Sequence, residues 1–198
     1  MKSVSLVLHI MRTVFLFLLI LQVMISCADE STISSTSQKN NDDLNIDYYQ
    51  FNEFMLDSVG IDASIMIPNE TAGIGASFNT EILHDDGGFK WHISAGRNFN
   101  VFIEDYGDYQ YLMPEFIRRI DTKDIFKTQI VKQTGNYIIF KRELNTSTIP
   151  NATYHFYGVK YINGVYYEIK NSEEGDSKKV IEFILKSYLS LSSNTEML

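Results

Sequence analysis

The chain has 198 residues, of which 17 are basic and 25 acidic, so its formal net charge is −8. This acidic balance argues against nucleic-acid binding, because affinity for nucleic acid depends on clustered Lys and Arg that neutralise phosphates. With only one cysteine, the chain forms no intrachain disulfide.

The first 26 residues have the pattern of an export signal. Lys2 and Arg12 supply positive charge, no acidic residue precedes the cysteine, and an apolar run at 14–25 reads VFLFLLILQVMI. A positive region, a short apolar region and a small residue at the cleavage site are what a secretory signal peptide needs. Residues 24–27, MISC, resemble the lipobox of bacterial lipoproteins, in which the cysteine is acylated and becomes the new N-terminus. The resemblance implies that Cys27 carries lipid and anchors the protein in the bacterial cell envelope, with the outer membrane as the expected location.

Two other interpretations of this segment stay open. The strict apolar run is about 12 residues long, shorter than the roughly 20 residues needed to cross a bilayer. Counting from Val4 extends it to about 22 residues, interrupted by His9 and Arg12, which allows an uncleaved anchor. The other alternative is an ordinary signal peptide with an incidental cysteine. In a secreted eukaryotic protein glycosylation would also matter, and three sequons begin at residues 69, 145 and 151.

Residues 28–47 read ADESTISSTSQKNNDDLNID and are poor in large apolar side chains. Such a segment buries too little surface to offset its ordering entropy, so we expect a flexible tether over 27–47 that begins at the lipidated cysteine. Asp29 and Glu30 resemble the acidic sorting signals that accompany export to the cell surface in some Gram-negative groups. Without residues 1–26, 15 basic and 25 acidic residues remain, so the mature net charge is about −10.

The rest of the chain has the size of one domain, predicted over 48–192 and followed by a disordered tail at 193–198. Its first half alternates apolar and polar residues with a period of two, which predicts strands. Residues 85–88 (DDGG) and 96–97 (GR) supply turns, since Asp and Gly tolerate positive φ. The predicted strands form an antiparallel meander with one solvated face and cover 63–67, 76–83, 89–94 and 99–104.

The apolar spacing becomes helical from Tyr109 to Ile120. Pro114 is expected in the first turn of this helix, where its missing N–H costs nothing. Two further strands are predicted at 128–133 and 137–144, joined near Gly135-Asn136.

Asn163-Gly164 is a strong hairpin signal, and it predicts that strands 153–161 and 165–171 pair with each other. Asp176-Ser177 is expected to cap a final amphipathic helix. The apolar stripe of that helix is Val180, Ile181, Ile184, Leu185, Tyr188 and Leu189.

The order strands, helix, strands, helix predicts an α+β fold, an antiparallel sheet with helices packed on it, because one sheet face must be covered. The chain resembles the Mog1/PsbP/DcrB-like α/β sandwich group in four features: Ser64–Pro68, Trp91–Ser94 (W-x-I-S), Ile103–Gly107 and the closing helix. The resemblance covers about 61–191. It implies a sandwich domain that acts in binding or assembly, and it carries over no catalytic residue.

The predicted hairpin gathers aromatic residues on one face. Pairing across its turn puts Tyr161 opposite Tyr166, with Tyr157 and His155 on the same face. We expect these four residues to form a solvent-facing recognition surface, since Tyr gives contact area at a low entropic cost. The alternatives are a wet sheet face that simply carries tyrosines, or a face covered by a helix. The opposite face is expected to be core: Phe156, Ile162, Val165, Tyr167 and Ile169.

No metal and no cofactor is predicted. One acidic cluster lacks the spacing of a Ca²⁺-binding loop and is interpreted as a solvated strand end: Glu104, Asp105 and Asp108. Three histidines fall in separate elements, without an HExxH motif or a partner cysteine: His84, His92 and His155.

Catalytic motifs give little support for an enzyme. The chain has no G-x-S-x-G elbow, and Gly73-x-Gly75 has no following GKS-type sequence that would hold phosphate. Paired carboxylates for glycoside hydrolysis stay as an alternative, because any two acids can converge in the fold. The candidates are Glu81, Glu104, Asp105 and Glu143.

We therefore expect a lipid-anchored envelope protein whose domain binds a protein or an envelope component without catalysis. An immunity or inhibitor lipoprotein is one form of this expectation, since an acidic domain suits a basic target. The rival classes are an envelope hydrolase and an assembly scaffold. A scaffold would differ from a ligand binder in lacking a concave pocket.

Overall fold

The computed structural model describes residues 46–75, 79–85, 87–120, 125–144 and 152–194. The predicted signal peptide, Cys27 and the tether up to residue 45 lie outside the described residues, as do 76–78 of one predicted strand and the sequon residues Asn145 and Asn151. The elements are β1 (Phe51–Met55), β2 (Ala63–Pro68), β3 (Thr80–His84), β4 (Lys90–Ala95), β5 (Phe99–Asp105), α1 (Leu112–Ile120), β6 (Phe126–Gln133), β7 (Tyr137–Leu144), β8 (Thr153–Ile162), β9 (Val165–Lys170), α2 (Lys178–Ser190) and β10 (Ser192–Ser193).

Seven of the strands form one antiparallel sheet in the order β3-β4-β5-β9-β8-β7-β6. The chain runs as a meander from β3 to β5 and again from β6 to β9. The two meanders join where β5 pairs with β9, with Ile103 opposite Ile169. The predicted α+β class and the antiparallel sheet are confirmed.

A second sheet contains three strands in the order β1-β2-β10. The prediction that 63–67 belongs to the meander is wrong, because β2 pairs with β1 and β10, two strands that the periodicity did not predict. Ala63, Ser64 and Ile65 are all buried, so both faces of β2 are covered and the alternation of a half-solvated strand is missing. Ser193 pairs with Ala63 and is 5% exposed, so ordered structure continues past Ser192, the predicted end of the domain.

The larger core lies between one face of the seven-stranded sheet, the small sheet and α2. Ile65 of β2, Ile103 of β5 and Ile184 of α2 are each at most 1% exposed there. Fully burying an aliphatic side chain of this size contributes about 1.5–3 kcal/mol. The face of the hairpin predicted as core points into this layer, where Phe156, Tyr167 and Ile169 are buried.

The opposite face of the large sheet packs against α1. Met113 and Ile120 of the helix lie against Ile138, Phe140 and Tyr157 of β7 and β8. With nine residues, α1 is only about 14 Å long, so it covers part of this face and not all of it.

Local sequence explains both helices. At the start of α2 the Ser177 hydroxyl accepts a hydrogen bond from the Val180 N–H at 3.4 Å, as a capping serine should. Pro114 lies in the first turn of α1, as predicted. This helix begins at Leu112 and not at Tyr109, because the N–H of Tyr109 donates to the carbonyl of Tyr106 in a preceding turn, at 3.1 Å. Within the described ranges, neither helix combines the length and the apolar character needed to span a membrane.

Candidate binding site

A pocket of about 420 Å³ lies between α1 and the large sheet, and we call it the α1 pocket. The second half of α1 forms one side, β7, β8 and β9 contribute the floor, and Ser172-Glu173 border it after β9. Pockets of this size hold small ligands. Its charged residues are Arg119, Arg142, Glu168, Lys170 and Glu173, and its aromatic residues are Tyr106, Phe116, Phe140, Phe156 and Tyr157.

Tyr157 is 2% exposed, so the prediction that it faces solvent is wrong. The reason is α1: the ring of Phe116 lies on the ring of Tyr157, with centroids 3.6 Å apart and planes 5° apart. The Tyr157 hydroxyl donates to the carbonyl of Leu112 at 3.4 Å. Burial raises the pKa of this phenol, and the carboxylate of Glu168 raises it further. Tyr157 is therefore a neutral part of the pocket wall.

His155 was also predicted on the solvent face, but it is 6% exposed and lines the same pocket. Its imidazole stacks on Phe140, with centroids 4.9 Å apart, and its Nε2 lies 3.1 Å from the Thr153 hydroxyl. Gly175 closes over the ring so tightly that a Cβ there would lie 2.7 Å from Nε2. Burial, and then the positive charge of Arg142, lower the pKa of His155 to about 4, so the ring is neutral at pH 7.

A network of alternating charges runs from the pocket floor on β9 across β5 to β4. Lys170 Nζ lies 2.7 Å from Glu168 and 3.9 Å from Glu104, and Lys90 Nζ lies 3.0 Å from Glu104. Glu168 is 4% exposed and sits opposite Glu104 in the β5–β9 register. Burial raises the pKa of Tyr106 beside them to about 12, and the two carboxylates add to the effect. This pair of acids could not be predicted from the sequence, because only the β5–β9 pairing brings the two residues together.

Arg142 lines the pocket at the end of β7. Its guanidinium carbon lies 5.2 Å from the ring centroid of Phe140, a cation–π contact. Its Nε is buried and has no hydrogen-bond acceptor among the residues that the structure describes. Arg142 was not among the predicted site residues, although the period-two alternation of Ile138, Phe140 and Arg142 places all three on one face of β7.

Tyr161 and Tyr166 lie at the other end of the hairpin and do not line the α1 pocket. The register is as predicted: Tyr161 is opposite Tyr166, and their ring centroids are 4.6 Å apart. Tyr161 is 62% exposed. The structure therefore divides the four predicted residues into two that line the pocket, His155 and Tyr157, and two beside the turn.

A second pocket, of about 390 Å³, adjoins the first along β3, β4 and β5. Lys170 and Glu173 line both pockets. His92 and Phe102 stack in its wall, with centroids 4.4 Å apart and planes 6° apart. Charged side chains and stacked aromatic rings therefore line the surface from the α1 pocket towards the β3 edge of the sheet.

The described residues contain no group of three His, Cys, Asp or Glu side chains placed to hold a metal ion. His84 stacks on Trp91 at 4.9 Å, His92 on Phe102 and His155 on Phe140, so each imidazole is packed against a different ring.

The four carboxylates predicted as a catalytic set do not pair in a cleft. Glu104 and Asp105 are consecutive in β5, so their side chains point to opposite faces. Glu81 and Glu104 are two strands and four residues apart, which is about 16 Å. Glu143 lies on β7 and forms an ion pair with Lys141 of its own strand. Of these four, only Glu104 comes close to another carboxylate in the pocket, that of Glu168.

No protein-family model matches the chain. No curated protein has a sequence that matches it.

Proposed function

We propose that this is a lipid-anchored protein of the bacterial cell envelope, attached through Cys27, whose α+β domain binds a protein or an envelope component without catalysing a reaction. The α1 pocket carries this proposal. Its volume of about 420 Å³, its stacked rings and the ion pair of buried Glu168 with Lys170 form a concave, polar and aromatic surface. Such surfaces bind ligands, whereas a pure scaffold needs no pocket.

The proposed lipid anchor would keep the binding domain at the membrane surface. The apolar run and the cysteine at 27 favour lipidation, and a protein held by two or more acyl chains stays on its membrane. We place it in the outer membrane, on the basis of the lipobox resemblance alone. An immunity or inhibitor protein with a basic target is one form of this function, since the chain carries a net charge of −8.

The layers also support the proposed kinship with the Mog1/PsbP/DcrB-like group. Helices lie on both faces of the seven-stranded antiparallel sheet: α1 covers part of one side, and α2 packs with the small sheet on the other. The group's members act mainly in binding or assembly, which agrees with a non-catalytic role. The kinship predicts the fold and names no partner.

One observation favours a second candidate, an envelope hydrolase with paired carboxylates. Glu104 and Glu168 face each other across β5 and β9, and Cβ atoms of such cross-strand neighbours are about 5 Å apart. A glycosidase needs one of its two carboxyl groups protonated. Both of these carboxylates are in ion pairs with lysines, so we rank binding first.

Affinity capture of the cross-linked, full-length protein from its native envelope tests the binding function. Arg119→Glu reverses a charge at the pocket, whereas Arg118→Glu reverses the neighbouring charge, which is not part of the pocket lining and is 78% exposed. We expect one component in near-stoichiometric amount with the wild type and with Arg118→Glu, and little with Arg119→Glu. Equal recovery with both variants would contradict the pocket as the site. If the wild type recovers nothing specific, the binding function is wrong.

A further inference from the structure

Arg142 is the one charged group of the α1 pocket whose buried donor has no acceptor in the described part of the chain. Lys90, Lys141 and Lys170 each form an ion pair. Among the described residues, no carboxylate lies within ion-pair distance of Arg142. The Arg142 side chain lines the pocket, so an anionic ligand that reaches the other N–H groups of its guanidinium would gain affinity.

The surroundings hold the guanidinium in place. Phe140 lies below it at 5.2 Å, and His155 stacks on that same ring at 4.9 Å. Since His155 is neutral at pH 7, it adds no second positive charge beside Arg142. Arg142 therefore presents a planar guanidinium with a single positive charge, packed against the ring of Phe140.

On the basis of the function proposed above, we propose that Arg142 binds a carboxylate group of the ligand, and that the apolar part of the ligand rests against the half-buried ring of Phe116. A guanidinium matches the two oxygens of a carboxylate with two parallel hydrogen bonds. A phosphate group matches the same donors, so methyl phosphate serves as the competing anion in the test below.

The pocket is longer than a single carboxylate needs. Arg142 lies opposite Thr153 of β8, and Glu168 lies opposite Val159 of the same strand. Six residues of strand separate these positions, or about 20 Å. The carboxylate has two sources that fit this length: the C-terminus of a peptide or protein, and a small carboxylic acid at the Arg142 end.

Titration of the ¹³C,¹⁵N-labelled full-length protein in detergent micelles tests the inference. The matched probes are acetyl-leucyl-leucine and its C-terminal amide, with acetyl-leucine and methyl phosphate as further arms. The direct readout is the Nε–H signal of Arg142, assigned through its own side-chain carbons. We expect the acid to bind about tenfold to a hundredfold more tightly than the amide and to move this signal.

Two variants localise the effect. Arg142→Lys keeps the charge but removes the fork, so it should reduce affinity for the acid about tenfold. Arg118→Lys should leave that affinity unchanged, because Arg118 is not among the residues that line the pocket. The comparison of acid with amide needs no variant and stands if Arg142→Lys fails to fold.

The outcomes separate this inference from the proposed function. Tighter binding of the dipeptide than of acetyl-leucine assigns the site to a peptide end, and equal binding assigns it to a small acid; both support the carboxylate. Equal affinity for acid and amide, an unmoved Arg142 signal, or preference for methyl phosphate would overturn it. The proposed function would survive each of those results if the envelope capture still depends on Arg119.

Discussion

The ring of Phe116 in α1 lies flat on the ring of Tyr157 in β8, with centroids 3.6 Å apart. This contact attaches the short helix to the large sheet and closes one side of the α1 pocket. We expect Phe116→Ala to lower the free energy of unfolding by about 2 kcal/mol, because it removes both the stacking and the apolar contact of a half-buried ring. Urea denaturation of the full-length protein measures this loss.

Tyr157→Phe is the matched control for that contact. It keeps the stacked ring and removes the hydroxyl, with its long hydrogen bond to the carbonyl of Leu112 at 3.4 Å and its interaction with Glu168. We expect a loss below about 1 kcal/mol. If Tyr157→Phe costs as much as Phe116→Ala, the stacking is not what holds α1 in place.

Gly175 allows the loop after β9 to close over His155. Its φ is 78°, and a Cβ there would lie 2.7 Å from the imidazole; Gly88 has a φ of 79° with nothing near its Cβ position. Gly88→Ala should therefore cost about 1 kcal/mol of unfolding free energy from backbone strain alone, and Gly175→Ala about 3 kcal/mol. Equal losses in thermal or urea unfolding would show that the close approach to His155 has no energetic weight.

His155 makes stability depend on pH. Its pKa is lowered from the ordinary value of 6.5 to about 4 in the folded protein, so the unfolded chain binds the proton first. This contribution is fully present above pH 6.5 and is lost as the pH falls towards 4, by about 3 kcal/mol in all. His155→Phe should flatten the pH dependence of urea unfolding across that window. An unchanged slope in the variant would assign the acid sensitivity to other groups.

Glu168 is a buried partner of Lys170, whereas Glu143 pairs with Lys141 at a more exposed position. Removing one partner of a buried pair leaves the other charge uncompensated. We expect Glu168→Gln to lower the free energy of unfolding by about 2 kcal/mol, given that Lys170 is partly solvated, and Glu143→Gln to lower it less. Equilibrium denaturation compares them, and a larger loss for Glu143→Gln would contradict this assignment.

The proposed lipid on Cys27 should hold the protein in the membrane. Cys27→Ser should abolish incorporation of labelled palmitate and release the protein from the membrane fraction or leave it as a precursor. Ser26→Ala keeps a small residue at the cleavage site and should be processed normally. Mass spectrometry of the mature N-terminus shows, for each variant, whether the signal peptide is cleaved and whether the N-terminal residue carries lipid. An unmodified Cys27 on the wild-type protein would exclude the lipid anchor.

Local signals in the sequence predicted the elements that depend on neighbours in the chain. Asn163-Gly164, with Asn163 at a φ of 50°, set the hairpin register, and Ser177 marked the start of α2. Burial of Tyr157 could not be predicted in the same way. It depends on which sheet face α1 covers, and the period of β8 is the same whether that face is wet or covered.

The proximity of Glu104 to Glu168 could not be predicted without knowledge of the tertiary structure either. Glu104 and Glu168 lie in different meanders, and no local pattern indicates that β5 is the neighbour of β9. The position of Arg142 on the same sheet face as Ile138 and Phe140 could be predicted from the sequence, because the three residues alternate along β7. What the sequence lacked was any indication that its Nε would be buried without an acceptor.

A binding site in the α1 pocket is tested most directly by replacing Glu173 or Glu174 with a photo-cross-linking amino acid and irradiating intact cells. Both residues are exposed in the turn after β9, but only Glu173 lines the pocket. We expect one abundant cross-linked product from position 173 and none from position 174. Products of equal yield from both positions, or none from either, would contradict a binding site in the α1 pocket.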